Sequence, residues 1–155
     1  MADPAQTINS LVVPLNGQNL LLPQSAMAEV VARQPLRPFE GPVKWLRGFV
    51  EWRGQQVPVV SLEILCGRSG GELTANSRFV VLYAVEGIPG LQFYALEVSG
   101  IPHPVKLQAG DLIEGGLKDQ DCEVVARNVL ADGEPCVIPD LQRLEYLIRA
   151  QMERL

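Results

Sequence analysis

Residues 50–62 read Val50-Glu51-Trp52-Arg53-Gly54-Gln55-Gln56-Val57-Pro58-Val59-Val60-Ser61-Leu62. Apolar stretches flank Arg53-Gly54, and glycine accepts the positive φ that a tight two-residue turn demands. The stretch therefore predicts a β-hairpin, with strands over 48–52 and 55–62. Pro58 has no backbone N–H to give to a ladder, so it must sit at an edge or a bulge.

The same grammar runs outward in both directions. Residues 12–15 and 19–22 flank Asn16-Gly17 and predict an earlier hairpin. Pro23-Gln24-Ser25 interrupts, and residues 27–31 resume as an extended or short helical stretch. Gly41-Pro42 predicts a one-turn helix through Trp45, since proline fits the first helical position. Residues 67–77 (GRSGGELTANS) are polar and glycine-rich and read as a linker. Beyond it the pattern restarts, with hairpins over 79–83 and 91–98 and over 124–130 and 136–138. Val12-Val13 aligns with Val80-Val81, and Gly54 to Leu62 shares a skeleton with Gly133 to Leu141. Hairpin, excursion, hairpin thus occurs twice, which suggests two similar β units. The last segment differs. Asp140 is an N-cap candidate, and Leu141, Leu144, Ile148, Met152 and Leu155 form one apolar stripe at helical spacing, so a helix is expected over 140–155.

Composition bounds the function. The 155 residues are 47% hydrophobic and 20% charged, which is the profile of a globular chain. A net charge of −5 argues against nucleic acid or an anionic membrane surface as partner, because both require a basic face. The imbalance is local: residues 1–67 carry five basic and five acidic side chains, so the excess belongs to 68–155. The first ten residues have no apolar core and do not read as a signal peptide, and no apolar run is long enough to span a bilayer. Cys66, Cys122 and Cys136 are odd in number and far apart, and read as reduced thiols of a cytoplasmic protein.

The parts for catalysis are missing. His103 lies between Pro102 and Pro104, with no acid or nucleophile at a useful spacing. No zinc-type Cys/His spacing and no phosphate-cradling glycine loop occurs. Asp111, Glu114, Asp119, Asp121 and Glu123 do not follow a calcium-loop spacing and read as a solvated face. No enzyme activity, metal or cofactor is expected.

The run LLLPQSAMAEVV, then Gly41 to Gly48, then FVEWRGQQVPVVSLEIL resembles the CheW-like family of chemotaxis coupling proteins. The family hairpin has the form Val-Asn-Leu-Arg-Gly-x-x-Val-Pro-Val-Val-Asp-Leu, and its Arg-Gly turn and strand proline are in register here. The resemblance is strong over 20–65 and faint over 78–148. It implies a mainly β fold of two small SH3-like barrels of about five strands each, packed on a shared core with a C-terminal helix. The barrels would fall mainly at 15–66 and 78–138, with an N-terminal strand at 10–15 packed between or onto them. It also implies a non-catalytic cytoplasmic adaptor that couples chemoreceptor tips to the regulatory domain of a CheA-type histidine kinase, and that can meet other CheW-like proteins. No nucleic acid and no membrane insertion are implied. Glu51 and Ser61 replace the family's Asn and Asp, and residues 96–101 depart from its second-half pattern. These departures suggest a divergent coupler, of the ChpC- or PilI-like kind found in type IV pilus chemosensory systems.

Carried over residue by residue, the resemblance implies that Arg53 pairs with Glu29. With the residues beside the signature turn added as candidate anchors, Phe49, Trp52 and Val57 with Trp45 nearby, the partner-binding positions are expected at Glu29, Trp45, Gly48, Val50, Trp52, Arg53, Gly54, Val57 and Pro58. Phe49 and Trp45 can equally fill a core, and that reading is the expected one for Phe49. The alternative function is a small-molecule-binding double β domain with a cavity between its barrels.

Overall fold

The computed structural model describes residues 7–68, 77–114 and 122–153. All four expected hairpins form. They are β1 (Thr7–Leu15) with β2 (Gln18–Pro23), β5 (Leu46–Trp52) with β6 (Gln55–Val60), β7 (Arg78–Tyr83) with β8 (Phe93–Val98), and β11 (Val125–Ala131) with β12 (Glu134–Pro139). Between them run β3 (Met27–Ala32), β4 (Arg37–Pro38), β9 (His103–Gln108) and β10 (Leu112–Glu114). Helix α1 (Leu62–Leu65) follows β6, and α2 (Leu141–Met152) follows β12. Pro58 pairs with Phe49 on β5, while the parallel pairing of β6 with β8 involves only Val59 and Val60, so the proline precedes the two-sided part of the strand.

The strands form two sheets, in the orders β9-β1-β2-β12-β11-β10 and β3-β7-β8-β6-β5-β4. These orders superimpose element on element, so the repeat read from the sequence is present. The sheets do not follow the expected division at 15–66 and 78–138, however. The first hairpin, β1–β2, pairs in parallel with β12 near the other end of the chain, and β6 pairs in parallel with β8. Residues 27–98 build the second sheet, and the flanking segments build the first. Each sheet has six strands instead of the expected five, because the short strands β4 and β10 add to one edge. The outer strands of a sheet are not hydrogen-bonded to one another, so neither sheet closes into the barrel that was expected.

Period-two alternation explains the packing. On β1, β2, β7 and β8, one set of side chains (Leu11, Val13, Leu20, Leu22, Val80, Leu82, Tyr94, Leu96) enters a core shared by both sheets and α2. The intervening residues face the other way. Phe79, Val81 and Ala95 join Val50, Trp52, Val57 and Val59 in a core private to the second sheet. Val12 and Leu21 join Leu107, Val129, Ala131 and Cys136 in a core private to the first. Strands with both faces buried read as continuous apolar runs, which is why 79–82 and 20–22 are so uniform.

Asp140 caps α2, its carboxylate accepting from the Arg143 N–H at 3.0 Å, and Leu144 and Ile148 of the apolar stripe are fully buried. Leu155 lies outside the described residues, as do 69–76 of the expected linker and Asp119 and Asp121 of the acidic group. Two expectations are corrected. Residues 41–45 bend without forming a helical turn, because the Trp45 carbonyl accepts from the Ser61 N–H at 2.8 Å and is committed to the strand that follows. Cys66 and Cys122 are not thiols but a disulfide, their Cα atoms 5.1 Å apart, which brings together positions 56 residues apart in sequence; Cys136 is free and buried.

Candidate functional site

The tip of the β5–β6 hairpin carries the most concentrated polar arrangement on the second sheet. Arg53 and Gly54 both have positive φ, 49° and 76°, as a two-residue turn requires. That turn aims the Arg53 side chain along the sheet toward the edge strand β3. A register shift between Met27 and Glu29 places two residues of β3 opposite one of β7, and such a bulge re-aims the side chain beside it. The Glu29 carboxylate thereby meets the hairpin tip. One oxygen accepts from the Trp52 indole N–H at 2.8 Å, and the other faces the Arg53 guanidinium at 3.4 Å. The guanidinium in turn lies over the Trp52 ring, 4.5 Å from its centroid.

Glu29, Trp52 and Arg53 are thus one unit. Trp52 is buried, and it lends rigidity to two charged groups whose side chains remain 41% (Glu29) and 63% (Arg53) exposed. At that exposure the ion pair alone contributes about 0–1 kcal/mol to stability. Its significance lies in orientation: a planar fork held over an aromatic face is presented to solvent in a fixed direction. Nothing in this arrangement offers a nucleophile or a proton-transfer pair. It is suited to recognition by shape and charge.

The structure separates the other expected positions from this tip. Gly48, Val50, Val57 and Pro58 are buried and support the hairpin from within, as does Phe49. Gly48 has φ 147°, and a Cβ there would collide with the Arg37 carbonyl, so glycine is required for β4 to approach β5. Trp45 precedes β5 while Trp52 ends it; a strand of that length puts them about 20 Å apart. Trp45 is half-buried against the shared core and is no part of the tip.

Two aromatic residues extend the tip and escaped the sequence reading. Phe93 packs edge-on against Trp52 at 4.8 Å, and Tyr83 lies 5.5 Å from Phe93. Tyr83 and Phe93 are cross-strand partners of one hairpin, and that register was the available signal. A second missed residue is Glu145 on α2. Its fully buried carboxylate accepts from the N–H groups of Val85 and Glu86 and from the Tyr94 hydroxyl, at 2.9, 3.0 and 3.0 Å. It clamps the β7–β8 connection to the helix. Burial, then the Glu145 charge, pushes the Tyr94 hydroxyl above the usual tyrosine range. Arg47 and Glu97 form a further pair at 3.4 Å, where burial raises the carboxyl above its ordinary value against the opposing pull of the guanidinium.

Among the described residues no helix is long and apolar enough to cross a membrane, and no cluster of three His, Cys, Asp or Glu could hold a metal ion. In comparison with known proteins, the model of the CheW-like domain matches residues 9–147. No curated protein matches the chain closely enough to count as a relative. Among solved structures, the chain is similar to the scaffolding protein TtCheW from Thermoanaerobacter tengcongensis, with a TM-score of 0.72 at 16% identity, covering 86% of this chain and 84% of that one.

Proposed function

The chain belongs to the CheW-like domain family, and from that premise we propose that it is a non-catalytic coupling scaffold of a chemosensory system. It would hold the regulatory domain of a CheA-type histidine kinase beside the cytoplasmic tip of a chemoreceptor, working in the cytoplasm. The observation that carries this reading is the Glu29–Trp52–Arg53 unit, a rigid charged knob on the end of one sheet with no catalytic chemistry around it. The likeness in fold to a protein described as a scaffold is in keeping with it.

The departures from the family hairpin sharpen the proposal. Ser61 stands where the family has Asp, yet its hydroxyl accepts from the Ile64 N–H at 3.2 Å and caps α1. Ser and Asp are both strong N-caps, so this change preserves the local fold. Glu51 is exposed, and its replacement of Asn alters the surface beside the tip. The changes therefore bear on which kinase and receptor are recognised, and a role in a type IV pilus system of the ChpC or PilI kind is the finer form of the proposal.

The test is assembly. Purified protein, kinase regulatory domain and a receptor cytoplasmic fragment from the same organism are mixed and separated by size-exclusion chromatography. Co-elution of this chain with both is expected; co-elution with neither overturns the reading.

A further inference from the structure

We propose that Cys66 and Cys122 form a reversible redox site, a disulfide opened by a protein dithiol, which governs how firmly the two sheets are held together beside α1. Cys66 ends α1, the exit from the second-sheet hairpin β5–β6, and Cys122 leads into β11 of the first sheet. Among the described residues this bond is the one covalent tie between the sheets other than the chain itself. Both cysteines are half-buried, and each has an exposed neighbour, Gly67 and Glu123, so an external thiol can reach the sulfurs. In a chain that works in a reducing compartment, as proposed above, a disulfide is usually transient or redox-sensing rather than a permanent staple.

The surroundings allow the bond to open without unfolding the protein. On one side, the Cys66 and Gly67 N–H groups donate to the Leu62 and Ile64 carbonyls, and Glu63 accepts from the Asn16 N–H at 2.7 Å. On the other, the Val125 N–H donates to the Cys122 carbonyl, the Asp140 N–H to the Val124 carbonyl, and Arg143 bonds to Glu123. The Glu63 bond ties α1 to the β1–β2 turn of the first sheet, the others hold each strap to itself or to α2, and none of them joins one strap to the other. Reduction therefore removes the link between the straps and leaves each strap in place. The third cysteine does not interfere: burial and then Glu134 push the Cys136 thiol up to about 11, so it carries almost no thiolate at neutral pH, and exchange requires the thiolate.

The chemistry balances as ordinary exchange. A thiolate of the reductant attacks one sulfur, forming a mixed disulfide and releasing the other cysteine as a thiolate that takes up a proton. The second thiol of the reductant then displaces the first cysteine, so two electrons and two protons reside on Cys66 and Cys122 and the reductant leaves as a disulfide.

The test uses the full chain. Alkylation under native, non-reducing conditions followed by intact-mass measurement is expected to leave Cys66 and Cys122 unmodified. Dithiothreitol should expose both without loss of the native circular dichroism spectrum. Free Cys66 and Cys122 in air-oxidised protein, or release of the pair only with unfolding, overturns the site. Hydrogen exchange is expected to quicken at least tenfold over 62–68 and 122–131 on reduction and to stay unchanged over 50–58. Cys66→Ser should show the faster exchange under both conditions; a uniform change, or none, overturns the staple. The consequence for partner binding rests on the coupling reading. The reduced form should bind the kinase regulatory domain or the receptor fragment at least threefold differently from the oxidised form, and equal affinities for both partners overturn that consequence. Binding of neither partner by either form instead defeats the coupling reading, while the thiol and exchange measurements still decide the redox site.

Discussion

The hairpins β5–β6 and β11–β12 are the same device built twice. Their turns, Arg53-Gly54 and Asp132-Gly133, have matching φ values of 49° and 76° against 49° and 82°. Each second strand runs into a helix capped by a side chain, Ser61 in one case and Asp140 in the other. The side chains at the tips then diverge. Trp52 of the first hairpin fills the end of its sheet and reaches Glu29 across it. The aligned residue of the second is Ala131, and there a cleft of about 300 Å³ stays open, floored by Val12 and Leu107 and rimmed by Lys106, Asp132 and Glu134. Charge follows the same division: residues 27–98 carry seven basic and seven acidic side chains, whereas the segments that build the other sheet carry six and eleven. Backbone geometry is set by the turn and the cap and survives duplication. Surface chemistry is set by one or two side chains at the tip and does not, so the two ends of one fold present different surfaces.

That contrast can be broken at several points. Trp52→Ala removes a buried indole and the donor to Glu29, and should cost about 4 kcal/mol of unfolding free energy in urea titration. A loss below about 1 kcal/mol would mean that the tryptophan does not seal the second sheet. Glu145→Ala strips the acceptor from three donors and should cost about 3 kcal/mol by the same measurement, more than Glu63→Ala at α1, where the buried carboxylate accepts from the Asn16 N–H of the β1–β2 turn. Gly54→Ala and Gly133→Ala each force a side chain into the left-handed region and should cost about 1–2 kcal/mol. Equal values would confirm that the turns are equivalent, and a large difference would separate them. Ser61→Ala and Asp140→Ala should each cost about 1 kcal/mol, the smallest effect and again a matched one.

Much of this was legible in the sequence because it is local. Asn16-Gly17, Arg53-Gly54 and Asp132-Gly133 announce their turns, and the Asp140 cap and the Leu144–Ile148 stripe announce α2. The exchange of hairpins between sheets was not legible. It depends on the parallel contacts of Val59 with Ala95 and of Val137 with Leu20, and nothing local marks those residues as partners. The disulfide escaped for a similar reason: three cysteines allow three pairings, and proximity across 56 residues is a property of the sheets. Trp45 was grouped with Trp52 by closeness in sequence, which a strand undoes by placing its two ends far apart. Glu145 lies between Leu144 and Ile148 on the buried stripe, and an acid in that position was the sign of a buried acceptor.

The hairpin tip bears most directly on the proposed role, and calorimetric titration of the Arg53→Glu variant tests it. Reversing that charge sets it against Glu29 while leaving the buried Trp52 in place, so the melting temperature should stay within a few degrees of the parent. Affinity for the kinase regulatory domain or for the receptor fragment should fall at least tenfold. Unchanged affinity for both partners, in a variant that remains folded, would contradict a recognition role for the tip.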